Sequence, residues 1–159
     1  MTTTAGIGWD SHRLVAGRPL ILGGIEIPHP EGLAGHSDAD VLTHAVIDAL
    51  LGAAGLGDIG RHFPDTDPRY AGADSLGLLR TALAAVGEEG WAVVHVDATV
   101  VMERPTLAPH RDAIRDRLAE VLGLGPRGVN VKASTAEGMG FVGRGEGVAA
   151  LAVATLRAA

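Results

Sequence analysis

Two short clusters carry the residue types of a metal site. Asp10-Ser11-His12 ends a run that reads as a strand. In an extended chain residues i and i+2 point to one face, so Asp10 and His12 can converge on one point. His36-Ser37-Asp38-Ala39-Asp40 is followed by His44, and Asp40 and His44, four apart, share one face of a helix. One aspartate and two histidines make a three-ligand set with an open position, the usual arrangement at a catalytic zinc, and that position can take a phosphate oxygen. Asp40 is placed to accept a ring N–H from a ligand histidine and fix its tautomer. A plainer reading stands beside this one. D-x-H is a weak pattern, and 7 histidines raise the chance of coincidental spacing. Spacing alone leaves both readings open.

Two further clusters sit at the ends of predicted elements. Asp58-Ile59-Gly60 and Phe63-Pro64-Asp65-Thr66-Asp67 put carboxylates beside glycine in an irregular stretch. That suits a ligand-binding loop, but chemistry alone favours a turn, since Asp, Thr and Pro are turn formers in their own right. Lys132-Ala133-Ser134-Thr135-Ala136-Glu137 opens a glycine-laced loop through Gly147. Its hydroxyls and backbone N–H groups can cradle a diphosphate, and a carboxylate can hold a magnesium ion that also takes phosphate oxygens. The order of a Walker motif is absent. The alternative is a flexible glycine loop with incidental polar residues.

The elements that must position these clusters follow from periodicity. Ala5 to Leu14 reads as a short strand, and Pro19 to Pro28 as a hairpin about Gly23-Gly24. Asp38 to Leu56 reads as a helix with Ser37 or Asp38 at its N-cap and Val41, Ala45, Ile47, Ala49 and Leu50 on its apolar side. Gly57 to Gly72 is irregular, and Ala73 to Glu89 reads as a second helix starting near Asp74 or Ser75. Trp91 to Val101 is a β-branched strand. Arg111 to Leu122 is a third helix stopped by Gly123, and Gly128 to Ala133 another strand. Val148 to Leu156 fits either strand or helix. Strands alternating with helices predict an α+β (two-layer α/β) fold: a mixed four-stranded sheet with helices packed on one face, plus a small β-hairpin.

Composition limits the function. A length of 159 residues fits a single domain, 1–159, that buries a core without disulfides. With no cysteine, any metal must be held by His, Asp, Glu or backbone oxygen, which leaves zinc, magnesium and manganese. A net charge of −6 and 3% aromatic residues argue against a nucleic-acid surface. No apolar run is long enough for a membrane span. The start, MTTTAGIGWD, has neither the positive flank nor the apolar core of a signal peptide, so the expected location is cytoplasmic.

Taken together, G-I-G-W-D-S-H, G-H-S-D-A-D-V-L-T-H, L-G-D-I-G-x-x-F-P-D-T-D-P and N-V-K-A-S-T-A-E-G-M-G-F-V-G-R-G-E-G resemble the cyclodiphosphate synthases of the non-mevalonate isoprenoid pathway, in their order and spacing, over nearly the whole chain. The resemblance implies closure of 4-diphosphocytidyl-2-C-methyl-D-erythritol 2-phosphate to the 2,4-cyclodiphosphate, with release of CMP. It implies Asp10, His12 and His44 as ligands of one zinc per site, and Glu137 as ligand of a second divalent ion, Mg2+ or Mn2+. His36 and Thr135 would stabilise the phosphates, with Ser37 adding a hydrogen bond. Asp58, Ile59, Gly60, Phe63, Pro64, Asp65, Thr66 and Asp67 would bind the methylerythritol part. Met102, Glu103, Arg104, Pro105, Thr106, Leu107 and Ala108 would form the cytidine pocket with Lys132, Ala133 and Ser134. Phe141 and Arg144 match ligand-contact positions.

The same resemblance implies a homotrimer with active sites between subunits. It also implies an axial cavity for an isoprenoid-like ligand, with Trp9, Phe141, Arg144 and Glu146 as candidate lining. One stretch departs from the family pattern: Pro-Lys-Met is common in the cytidine loop, whereas this chain has Pro105-Thr106-Leu107-Ala108. Two other functions fit the same ligands: a phosphohydrolase using zinc-bound water, and a binding protein for an isoprenoid diphosphate with a structural zinc. The second would need a fourth protein ligand.

Overall fold

The computed structural model describes residues 1–159. Strand β1 spans Thr3–Ala16, two residues longer at each end than alternation predicts. A hairpin follows, β2 (Leu20–Leu22) and β3 (Ile25–Ile27). Its turn, Gly23-Gly24, has φ of 59° and 73°, and a two-residue turn with both φ values positive matches strand twist, which glycine adopts without strain. Next come β4 (Glu31–Leu33), helix α1 (Val41–Ala54) and the short α2 (Ile59–His62). Helix α3 (Ser75–Glu88), β5 (Trp91–Val101), helix α4 (Arg111–Leu122) and β6 (Val129–Ser134) lead to a helical turn α5 (Gly140–Gly143) and to β7 (Gly147–Ala158).

The main sheet is mixed, in the order β4-β1-β7-β5-β6. Only β5 and β6 run parallel, and the required crossover is α4. The sheet has five strands where four are expected: β1, β5 and β6 are strands the sequence predicts. The fifth, β4, has three residues on the edge of β1, too few to show a period. The segment that sequence left between strand and helix is the central strand β7, paired with both β1 and β5. Val148, Ala150, Ala152, Ala154 and Leu156 turn inward and are fully buried; the alternation is hidden because the outward residues are also small or apolar.

Helix α1 lies across the inner face of β1 and β7, with α3 covering its other side. It is therefore buried nearly all round, rather than on one apolar side, and even Thr43 and His44 are buried. Its approach to β1 depends on Gly6 and Gly8. A Cβ on Gly8 would lie 1.9 Å from the carbonyl oxygen of Ala45, and one on Gly6 2.2 Å from that of Ala49. Asp10 and His12 continue the Gly6, Gly8 face, so they meet α1 one turn nearer its start, where His44 stands. The opposite face of the sheet carries no helix. Ile7 and Val153, paired across β1 and β7, are 68% and 44% exposed there, and Trp9 is 54% exposed. No helix is long and apolar enough to cross a membrane.

Candidate metal centre and active site

Three atoms from two elements form a small triangle. His12 Nε2 lies 2.8 Å from Asp10 Oδ2, His44 Nδ1 3.1 Å from the same oxygen, and the two nitrogens are 3.3 Å apart. Ligands at zinc–nitrogen and zinc–oxygen distances of about 2.0–2.1 Å in a tetrahedron stand roughly 3.3 Å from one another. The triangle is thus one face of such a tetrahedron. The donors also suit the ion: His12 Nδ1 lies 2.8 Å from the carbonyl oxygen of Ala34, which can only accept, so Nδ1–H donates and Nε2 keeps its lone pair. No other His, Asp or Glu joins the group, which leaves one coordination position open and disfavours a closed structural zinc.

The triangle is also electrostatically primed. Burial works against an Asp10 carboxylate, but hydrogen bonds and charge from His12 and His44 outweigh it and hold Asp10 at about 2. Burial likewise opposes charge on His12, yet Asp10 more than compensates and raises its pKa. The carboxylate is thus ready to ligate, while a metal ion at His12 must displace the proton that Asp10 helps to hold.

Above the triangle opens a cavity of about 520 Å3 lined by His36, Ser37, Ile59, Gly60, Phe63, Pro64, Asp65, Tyr70 and Leu78. His36 Nε2–H donates to the Asp67 carbonyl at 2.9 Å, and Arg18 donates to the carbonyls of Gly35 and Ser37, both at 3.0 Å. Asp58 caps α2 by accepting from Arg61 N–H at 2.9 Å, while Asp67 pairs with Arg69. Asp58 and Asp67 therefore shape the loop, Thr66 lies outside the cavity lining, and Ile59, Gly60, Phe63, Pro64 and Asp65 face the cavity. Sequence reading missed Arg18, Tyr70 and Leu78, which reach the site only through tertiary packing.

A second hollow, about 220 Å3, is lined by Met102, Glu103, Pro105, Thr106, Leu107, Ala108, Ala133, Ser134 and Thr135. Arg111 also lines it and was not foreseen. Arg104 turns instead to a neighbouring hollow with Arg144. Lys132 points to the open sheet face, where it pairs with Asp97 at 2.7 Å. Glu103 accepts from Ala136 N–H at 2.6 Å, tying this loop to the one bearing Thr135 and Glu137. Neither Thr135 nor Glu137 lines the cavity above the triangle. Phe141 lines a shallow hollow with Ser11, Arg13 and Glu146, and Arg144 pairs with Glu146 at 3.1 Å.

Asp40 does not reach a ligand histidine. It is the N-cap of α1, and its carboxylate accepts from Gly23 N–H, Gly24 N–H, Thr43 N–H and Thr43 Oγ–H at 2.7–3.0 Å. Its side chain is spent tying α1 to the hairpin. Behind His44 stand two serines instead: Nε2 lies 2.8 Å from Ser75 Oγ and 3.2 Å from Ser37 Oγ.

Three side chains able to hold a divalent ion, open to a cavity on a two-layer α/β frame, have the form of an enzyme site for small-molecule chemistry. The chain belongs to the YgbB family, whose profile matches residues 3–157. It is 62% identical over 151 residues, 95% of this chain and 96% of the relative, to the 2-C-methyl-D-erythritol 2,4-cyclodiphosphate synthase of Symbiobacterium thermophilum. To the synthase of Dechloromonas aromatica it is 59% identical over 154 residues, covering 97% and 96%. Among solved structures, a 2C-methyl-D-erythritol-2,4-cyclodiphosphate synthase in a CDP-bound form superposes with a TM-score of 0.89 at 43% identity, covering 96% of this chain and 99% of that one. The bifunctional IspDF of Campylobacter jejuni superposes at 0.96 with 42% identity, over 99% of this chain and 43% of the longer one.

Proposed function

We propose that this chain is a 2-C-methyl-D-erythritol 2,4-cyclodiphosphate synthase, an enzyme that cyclises 4-diphosphocytidyl-2-C-methyl-D-erythritol 2-phosphate and releases CMP. The observation that carries the reading is the Asp10–His12–His44 triangle, three ligand atoms with the fourth direction open to the cavity, in a chain about 60% identical to synthases.

An oxygen of the substrate's own 2-phosphate attacks the β-phosphorus. A new P–O bond closes the ring, and the bond from that phosphorus to the bridging oxygen breaks, so that oxygen leaves on CMP with the electron pair. Both reacting groups belong to one molecule, so holding it folded supplies much of the rate. Ile59, Phe63 and Leu78 offer apolar surface to the carbon skeleton, and Asp65 and Gly60 offer acceptors to its hydroxyls. His36, with Nε2–H committed to the Asp67 carbonyl, turns its other edge to the phosphates beside Ser37. Zinc held by Asp10 Oδ2, His12 Nε2 and His44 Nδ1, and a magnesium or manganese ion on Glu137, would draw charge from the phosphate oxygens as Lewis acids.

The cytidine half is assigned to the second hollow, which does not join the metal cavity within one chain. A homotrimer supplies it from the neighbour, and the uncovered apolar sheet face at Ile7, Trp9 and Val153 supports such packing. Phe141, Arg144 and Glu146 are then candidates for an axial isoprenoid-like ligand. In a test by CMP release, chelated protein is inactive, zinc with magnesium restores activity, and His12→Ala is not restored. CMP release by the chelated protein or by His12→Ala would contradict the reading.

A further inference from the structure

The three ligand atoms are held by groups behind them, and those behind His44 form a chain. Ser75 is fully buried at the start of α3. Its Oγ–H donates to Asp38 Oδ1, its backbone N–H donates to Asp38 Oδ2 at 3.0 Å, and its Oγ lies 2.8 Å from His44 Nε2. Ala39, at φ 58°, reverses the backbone so that Asp38 faces α3 while Asp40 faces the hairpin.

The roles follow from what each atom can do. A carboxylate only accepts, so the serine hydrogen is committed to Asp38. The serine oxygen then offers only lone pairs to His44, and Nε2 must carry the hydrogen. Nδ1 is left with its lone pair on the side of Asp10 Oδ2, 3.1 Å away, and His12 Nε2, 3.3 Å away, a group of acceptors completed by a cation or by a proton on His12 Nε2. Ser37 Oγ, 3.2 Å from Nε2, also accepts from Ala39 N–H at 3.2 Å and is the weaker neighbour.

We propose that Ser75 and Asp38 are positioning residues, a hydroxyl-bridged carboxylate that selects the His44 tautomer with Nδ1 free to ligate. This deepens the synthase reading and rests on its zinc site. Histidine ligands commonly donate their second ring nitrogen to such a partner, and loss of that partner weakens metal binding about 10–100-fold. Here the carboxylate acts through a serine on a different helix.

The test uses the full chain with 15N-labelled histidine. Proton–nitrogen correlation of metal-free protein, at a pH where the imidazoles are neutral, reads the His44 tautomer directly, and zinc titration reads affinity. Wild type is expected as the Nε2–H form. Ser75→Ala shifts His44 to a tautomer mixture and weakens zinc about 10–100-fold, while Ser75→Thr preserves both. Ser75→Cys keeps the side-chain size but is a poor acceptor, and it gives the same answer should the alanine variant fold poorly. Alanine and cysteine variants with wild-type tautomer and zinc affinity would overturn the proposal, whatever their melting temperatures. If wild type binds zinc and these variants match it, only this inference falls; if wild type binds no zinc, the synthase reading falls with it.

Discussion

Each acidic residue around α1 has a separate task, and substitution separates them. Asp40 satisfies four buried donors. Asp40→Ala leaves them unpaired and is expected to cost about 3 kcal/mol or more, read by urea denaturation, with the His44 tautomer unchanged. A large loss of stability together with a scrambled tautomer would contradict that division. Asp10 makes the metal-free protein pH-dependent. Its pKa is held at about 2, below the ordinary 3.8, so its contribution is present above 3.8 and is lost as pH falls toward 2. His12 is raised, so its contribution is present below 6.5 and is lost as pH rises through the folded value. Metal-free protein should therefore gain stability from this pair between those limits, and Asp10→Asn should flatten that part of the melting profile. An unchanged profile would mean that the pair does not form. Asp10, His12 and His44 were legible from strand and helix spacing once the resemblance stood behind them. Ser75 was not, because its bond to His44 spans 31 residues and exists only through the packing of α3 on α1.

At the scale of elements, the site is set by how closely α1 lies on β1. Gly8→Ala drives a Cβ toward the Ala45 carbonyl, and backbone cannot yield as a side chain can. The expected loss is about 3 kcal/mol, the upper end of ordinary overpacking, together with weaker zinc binding because His44 moves with its helix. A shift in the urea midpoint at constant slope measures the first. Full zinc affinity in this variant would show that α1 does not set the triangle. Long elements with one dominant period, such as β5 and α4, were readable from the chain alone. The central strand β7 was not, since its outward positions are Ala149, Leu151, Val153 and Thr155, a pattern a buried helix shares. The three-residue β4 carries no period at all.

At the scale of the molecule, one sheet face is covered by helices and the other is bare, with Ile7 facing Val153 across the strands. The proposed trimer covers it. Light scattering should give three times the 16.2 kDa of one chain, and Val153→Asp should lower that mass. The same variant should keep zinc affinity yet lose CMP release, since in the proposed trimer the two hollows meet only across neighbouring chains. A wild-type monomer with full activity would contradict the shared site. The family resemblance implied this shared site; spacing alone orders the four clusters along the chain but not which of them face each other.

A synthase differs from a hydrolase in that its product is a ring. Phosphorus NMR of the cytidine diphosphate substrate incubated with protein, zinc and magnesium reads it directly. Paired doublets of a cyclic diphosphate should rise with the signal of CMP, and neither should appear with His12→Ala. CMP accompanied by a linear phosphate product would contradict it and make the chain a hydrolase.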